Sequence, residues 1–214
     1  MSVPEIKICG LTTAAALDAA IAARAEYVGF VFFPPSPRHL ALGVAAALAA
    51  RAAHHTKRVG LFVDATDAEI GEAVLAAKLD VIQLHGGEDP ARAASLRAAF
   101  GLPVWKALAV ACREDVARAQ AFVGAADLVL FDAKPPKGSA IPGGLGLAFD
   151  WSLVASYRSE IAWGLAGGLG PSNVAEAVRI SGAPLVDVSS GVETEPGIKD
   201  AGLIRDFCRA ARSS

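Results

Sequence analysis

Apolar residues fall into eight short blocks, and each is followed by a segment in which apolar positions recur three or four apart. The blocks are IKICG (6–10), YVGFVF (27–32), RVGLFV (58–63), DVIQLHG (80–86), PVWKALAV (103–110), DLVLFDAK (127–134), AWGLAGG (162–168) and LVDVSSG (185–191). Their β-branched and aromatic content predicts strands. The intervening periodicity predicts helices over 12–24, 41–54, 67–78, 89–100, 112–122, 150–158, 171–181 and 200–211. Thr66 or Asp67 and the pair Asp89-Pro90 are suitable helix starts: the side-chain oxygens can cap free N–H groups, and proline has none to lose.

The blocks are too apolar for strands with one wet face, so they predict parallel strands covered by helices. Eight such units over 214 residues predict a single-domain (β/α)8 barrel (a TIM barrel) with few insertions, spanning 1–214. The competing architecture is an open doubly wound sheet. Its first turn would carry GxGxxG, whereas this chain reads CGLTTA. In a barrel, functional groups sit at the C-terminal strand ends and in the loops that follow. Most of these blocks do end on a polar residue or glycine.

Two loops have the character of a phosphate seat. LAGGLGPSN (165–173) brings Gly167 and Gly168 in front of a helix expected near Pro171, and VDVSSGVE (186–193) brings Ser189, Ser190 and Gly191. Glycine lets backbone approach an anion, helix N-termini aim N–H groups at it, and hydroxyls donate further bonds. Loops after strands seven and eight are the recurrent phosphate position of such barrels. Taken singly, these glycines could equally serve tight turns.

Cys9 and Asp132 end strands one and six, which places them across the barrel mouth from each other. A thiol whose surroundings lower its pKa can act as a base, and a carboxyl shielded from water can act as an acid. Alone, Cys9 reads as a core filler and Asp132 as a turn residue. Arg38, beyond FVFFPPSP, could grip a carboxylate with its fork or stand in solvent. Gln83 and His85 alternate toward the end of strand four, where they could touch a ligand or pack. His85 has no acidic partner in its own stretch. Lys106 reads as a filler of the barrel layer, and His54 and His55 as solvated.

Composition mainly removes alternatives. Net charge is -2 and the basic residues are scattered, which argues against nucleic acid. No apolar run approaches the roughly 20 residues of a membrane span, and MSVPEIK lacks the features of a secretory signal. Three distant cysteines, Cys9, Cys112 and Cys208, suit a reducing cytoplasm better than a disulfide framework. No CxxC or HExxH spacing marks a metal, so no metal site is expected. With no long exposed apolar stripe, a monomer is the default and a dimer the alternative. From the residues alone, a phosphosugar isomerase and a non-catalytic phosphometabolite-binding barrel both stay open.

KICGLT (7–12), GFVFFPPSPRHL (29–40), VGLFVDAT (59–66), VIQLHGGE (81–88), LFDAK (130–134), LAGGLGPSNV (165–174) and DVSSGVETEPGIKD (187–200) together resemble phosphoribosylanthranilate isomerases along essentially the whole chain. The resemblance implies a cofactor-free Amadori rearrangement in tryptophan biosynthesis, acting on a small phosphosugar–anthranilate substrate. It implies Cys9 as general base, Asp132 as general acid and Arg38 on the anthranilate carboxylate. It further implies a phosphate cradle at Gly167, Gly168 and Ser189–Gly191, with Asp187 near the sugar. His85 is a further candidate for substrate contact. The loop 135–151, which reads as a lid, departs from the pattern at Leu145, where a small hydroxyl residue is usual. The nearest rival, the histidine-pathway aldose–ketose isomerase, would place a pair of aspartates where this chain has Cys9 and Asp132. A pentose-phosphate epimerase would need histidine metal ligands at strand ends, and only His85 stands there.

Overall fold

The computed structural model describes residues 3–134 and 146–214. Eight parallel strands close into one barrel in sequence order: β1 (Glu5–Cys9), β2 (Tyr27–Val31), β3 (Lys57–Phe62), β4 (Val81–Leu84), β5 (Val104–Val110), β6 (Leu128–Ala133), β7 (Ala162–Leu165) and β8 (Leu185–Val188). The ring closes where β8 pairs with β1, with Lys7 beside Asp187. The helices are α1 (Ala14–Ala22), α2 (Leu42–Ala52), α3 (Asp67–Ala77), α4 (Pro90–Phe100), α5 (Arg113–Ala117), α6 (Val174–Ser181) and α7 (Ala201–Arg212). A two-stranded hairpin, β9 (Glu193–Glu195) with β10 (Ile198–Lys199), follows β8.

Alternation along the strands divides the apolar residues into two environments. Ile6, Ile8, Val28, Phe30, Phe62 and Phe131 face outward into the layer shared with the helices. Tyr27, Val59, Val81, Trp105, Leu128 and Leu185 fill the lower barrel interior, where Tyr27 and Trp105 meet edge to face at 4.9 Å. Each large side chain buried in this way is worth about 1.5–3 kcal/mol. Alanines at Ala16, Ala20, Ala45, Ala49 and Ala52 are all buried, so α1 and α2 can lie close to the barrel wall.

The helix starts follow the sequence logic. Thr66 and Glu69 form a reciprocal capping box on α3, and Asp89 accepts from Arg92 N ahead of Pro90 on α4. Three expectations change. Residues 150–158 form only a 3-10 turn at Trp151–Leu153, not a helix. An aromatic cluster covers this face instead: Phe131, Tyr157 and Trp163 meet at 5.0–5.8 Å. Residues 112–122 divide into α5 and a 3-10 turn at Arg118–Phe122. Helix α6 starts at Val174, because Asn173 uses its amide to tie the preceding turn, accepting from Gly170 N and donating to Gly168 O. Leu145 and most of the loop expected to act as a lid lie outside the described residues.

Candidate active site

The C-terminal strand ends surround a cleft of about 800 Å³, part of it open to solvent. Cys9, Arg38, His85, Asp132, Asp187 and Ser189 all line it, as do Gly167, Gly168 and Ser190. Nine of the ten residues singled out from the sequence thus line one cleft; the tenth, Gly191, is not among its lining residues. A Cβ on Gly191 would run into the Leu169 carbonyl, so the residue serves close passage of the loops after β7 and β8. Glycine also shapes the cleft around the Cys9 thiol and the Arg38 side chain. A Cβ on Gly29 would lie 2.8 Å from Cys9 Sγ, and one on Gly10, at φ +77°, would lie 2.6 Å from Arg38 Cδ. The thiol and the guanidinium stem occupy room that no other residue would leave.

Below Cys9 on the same face of β1 is Lys7, with no exposed surface. Its ammonium donates to both oxygens of Asp187, at 3.0 and 2.9 Å. Lys7 escaped notice in the sequence, although its place two residues before Cys9 put it inside the barrel. Burial pushes the Cys9 thiol above its ordinary range; Lys7 opposes this, and Asp187 adds to it. The sequence reading expected surroundings that lower the thiol. In this structure burial outweighs the neighbouring charge.

Arg38 is also buried. Its Nε donates to Glu193 Oε1 at 2.8 Å and its Nη2 to Oε2 at 2.7 Å. Glu193 further accepts from Lys199 Nζ at 2.6 Å, and Lys199 donates to the Ser189 carbonyl at 2.9 Å. The hairpin after β8 thus ties the Arg38 loop to the serine loop. Burial raises Glu193, but Arg38 and Lys199 together outweigh it and hold the carboxyl below its usual range. Burial pulls Lys199 below its ordinary value. The sequence reading gave Arg38 only a ligand to hold; Glu193 and Lys199, visible in DVSSGVETEPGIKD, had no assigned task.

On the opposite wall, His85 finds the acid that its own stretch lacked. Its Nε2 lies 3.1 Å from Asp132 Oδ2, while Nδ1 lies 3.3 Å from Gln83 Nε2. Asp132 Oδ1 accepts from the Ala133 N–H at 2.8 Å. Lys106 corrects an expectation. It lies on the opposite face from the interior residues Trp105 and Ala107, and its ammonium donates to Gly86 O and Glu88 at 2.7 and 2.9 Å. Glu88 in turn accepts from the Asp64 and Gly86 N–H groups, bracing the loops that carry His85.

These observations define the class: a (β/α)8 barrel whose strand ends bring a thiol and a carboxyl into one cleft. Comparison with known proteins gives the family. The family model for N-(5'-phosphoribosyl)anthranilate isomerase matches residues 6–210. The chain is 52% identical over 208 residues to the enzyme of that name from Paramagnetospirillum magneticum, covering 97% of each chain. It is 54% identical over 207 residues to that of Paracoccus denitrificans, covering 97% of this chain and 96% of the relative. The crystal structure of phosphoribosyl anthranilate isomerase from Thermotoga maritima superposes with a TM-score of 0.88 at 33% identity, covering 99% of this chain and 100% of that one. A phosphoribosyl anthranilate isomerase solved in complex with reduced 1-(o-carboxyphenylamino)-1-deoxyribulose 5-phosphate gives 0.85 at 32%, with the same coverage. The chain belongs to the N-(5'-phosphoribosyl)anthranilate isomerase family. Among the described residues, no helix is long and apolar enough to cross a membrane.

Proposed function

We propose that this chain converts N-(5-phosphoribosyl)anthranilate into 1-(2-carboxyphenylamino)-1-deoxyribulose 5-phosphate in tryptophan biosynthesis, with Cys9 as base and Asp132 as acid. The observation that carries this reading is the shared cleft, lined by both groups together with Arg38 and the loops after β7 and β8, in a chain that the family model spans almost end to end. A solved relative holds a reduced form of the same product skeleton.

The chemistry follows from the groups present. Asp132 gives a proton to the furanose ring oxygen; the C1–O bond breaks, and the nitrogen lone pair forms an iminium. The positive nitrogen acidifies the neighbouring C2–H. Cys9, as thiolate, takes that proton, and the released pair forms the C1–C2 double bond as nitrogen recovers its own. The enolamine then loses its hydroxyl proton and gains one at C1 to become the ketone. Solvent exchange returns a proton to Asp132 and removes one from Cys9. The iminium is the electron sink, so the sequence of steps calls for no cofactor. His85 holds the Asp132 carboxyl toward the cleft, a geometry suited to keeping the acid aimed at the ring oxygen.

Arg38 receives the anthranilate carboxylate in this reading, held in place by Glu193. Gly167, Gly168, Ser189, Ser190 and Gly191 seat the phosphate, and Asp187 lies beside the sugar. The chain acts as one catalytic domain and as a monomer in a reducing cytoplasm; its three free cysteines and scattered exposed apolar residues support this. Size-exclusion chromatography with light scattering checks the monomer: a mass of two chains contradicts it. The function is tested by following loss of phosphoribosylanthranilate fluorescence with purified protein, with the product identified by mass. Turnover to the ribulose isomer is expected; no acceleration over the buffer control overturns the reading.

A further inference from the structure

We propose that Lys7 is a positioning residue that supplies the counter-charge for the Cys9 thiolate, beyond its ion pair with Asp187. This rests on the reading of Cys9 as the base. Residues 7 and 9 share the inner face of β1, and the Lys7 ammonium is sealed from water beneath the thiol. An ammonium has three N–H donors. Asp187 takes bonds to both of its oxygens, and the same ammonium charge acts on the Cys9 thiol two residues along this face.

Charge counting around the thiol points the same way. Lys7 comes from β1, Asp187 from β8, Lys199 and Glu193 from the hairpin, and Arg38 from the loop after β2. Across the cleft stand His85 and Asp132, already joined to each other. Among the described residues of the near wall, three cations face two carboxylates, leaving one positive charge in excess. An unbalanced buried charge is costly, and a thiolate removes the imbalance. Burial is the largest influence on Cys9 and opposes ionisation; Lys7 is the largest influence favouring it, ahead of Lys199. Lys199 offers the competing solution. If it shed its proton, the wall would be neutral around a thiol, and Lys7 would have no hold on Cys9.

The test reads the thiol directly. Purified protein is alkylated with iodoacetamide across a pH series, and modification of the Cys9 peptide is followed by mass spectrometry, apart from that of exposed Cys112. In Lys7→Met, Cys9 should react at least about tenfold more slowly at neutral pH, and the acidic limb of kcat/KM should move to higher pH. In Asp187→Asn the effect should reverse, with faster reaction in mild acid, because Lys7 is no longer shared. Lys7→Arg, which keeps the charge, should stay close to the parent. A purely structural pair would shift Lys7→Met and Asp187→Asn in the same direction or leave both thiol profiles unmoved, and either result overturns the proposal. Should Lys7→Met not fold, an unmoved Asp187→Asn profile overturns it alone. Full turnover by Cys9→Ala would instead remove Cys9 as the base, while the alkylation series still reports on Lys7.

Discussion

The two ends of the barrel use the same kinds of ion pair in opposite ways. At the N-terminal end, Glu26, Asp80 and Asp127 each stand one residue before β2, β4 and β6 and accept from the N–H of Ile6, Arg58 and Val104 on the preceding strand, at 2.7–2.8 Å. Each also meets an arginine near the surface: Arg212, Arg58 and Arg97 respectively. Solvent reaches these pairs, so each is worth at most about 1 kcal/mol as a charge interaction. Their larger task is to satisfy strand N–H groups that have no partner in the ladder.

At the C-terminal end, Asp187, Asp132 and Glu193 are paired with Lys7, His85 and the Arg38–Lys199 couple, and every one of these carboxylates is less than a tenth exposed. Burying such groups costs several kcal/mol per ion before their attraction returns it. The N-terminal end shows that the fold can cap its strands without that cost. Concentrating buried charge where the loops open a cleft is therefore a mark of function, not of stability.

Substitutions at the two ends should separate accordingly. Asp132→Asn keeps the shape of the proposed acid but removes its proton, and kcat should fall by at least about a hundredfold in the fluorescence assay. A parental kcat there would make the buried charge at this end ornamental. Glu193→Gln leaves two cations without their shared carboxylate, and kcat/KM should fall at least about tenfold as Arg38 and Lys199 lose their anchor. Unchanged kinetics would mean that Arg38 is held by its loop alone.

The same variant has a pH signature. The folded protein holds Glu193 below its usual range, so its contribution to stability is complete above the unfolded value and is lost as pH falls through the folded one. Urea midpoints should show Glu193→Gln less stable than the parent at neutral pH, with the gap closing in acid. A gap that persists in acid would assign the loss to packing. The smallest effect belongs at the other end: Asp127→Ala should cost about 1 kcal/mol in urea unfolding with kinetics unchanged. A kinetic defect there would break the division between the ends.

Much of this was legible in the sequence. Eight apolar blocks gave the strands, and in a barrel a strand's end is a place in space, so Cys9 and Asp132 could be put across a common mouth without coordinates. Partners from other strands were harder. His85 looked unpaired because Asp132 comes from β6, 47 residues further along the chain. Lys7 could have been found by counting back two from Cys9, and the outward face of Lys106 by counting from Trp105. Glu193 and Lys199 carried no such signal, since a hairpin of two and three residues has no periodicity to read. Residues 150–158 had a helix-like pattern of apolar positions, but the aromatic contacts of Tyr157 and Trp163 took precedence over it.

The most direct test is single-turnover kinetics of Cys9→Ala with excess enzyme, following phosphoribosylanthranilate fluorescence beside the parent. The account predicts a chemical step slowed at least about a hundredfold with substrate still bound. A chemical step at the parental rate would contradict it.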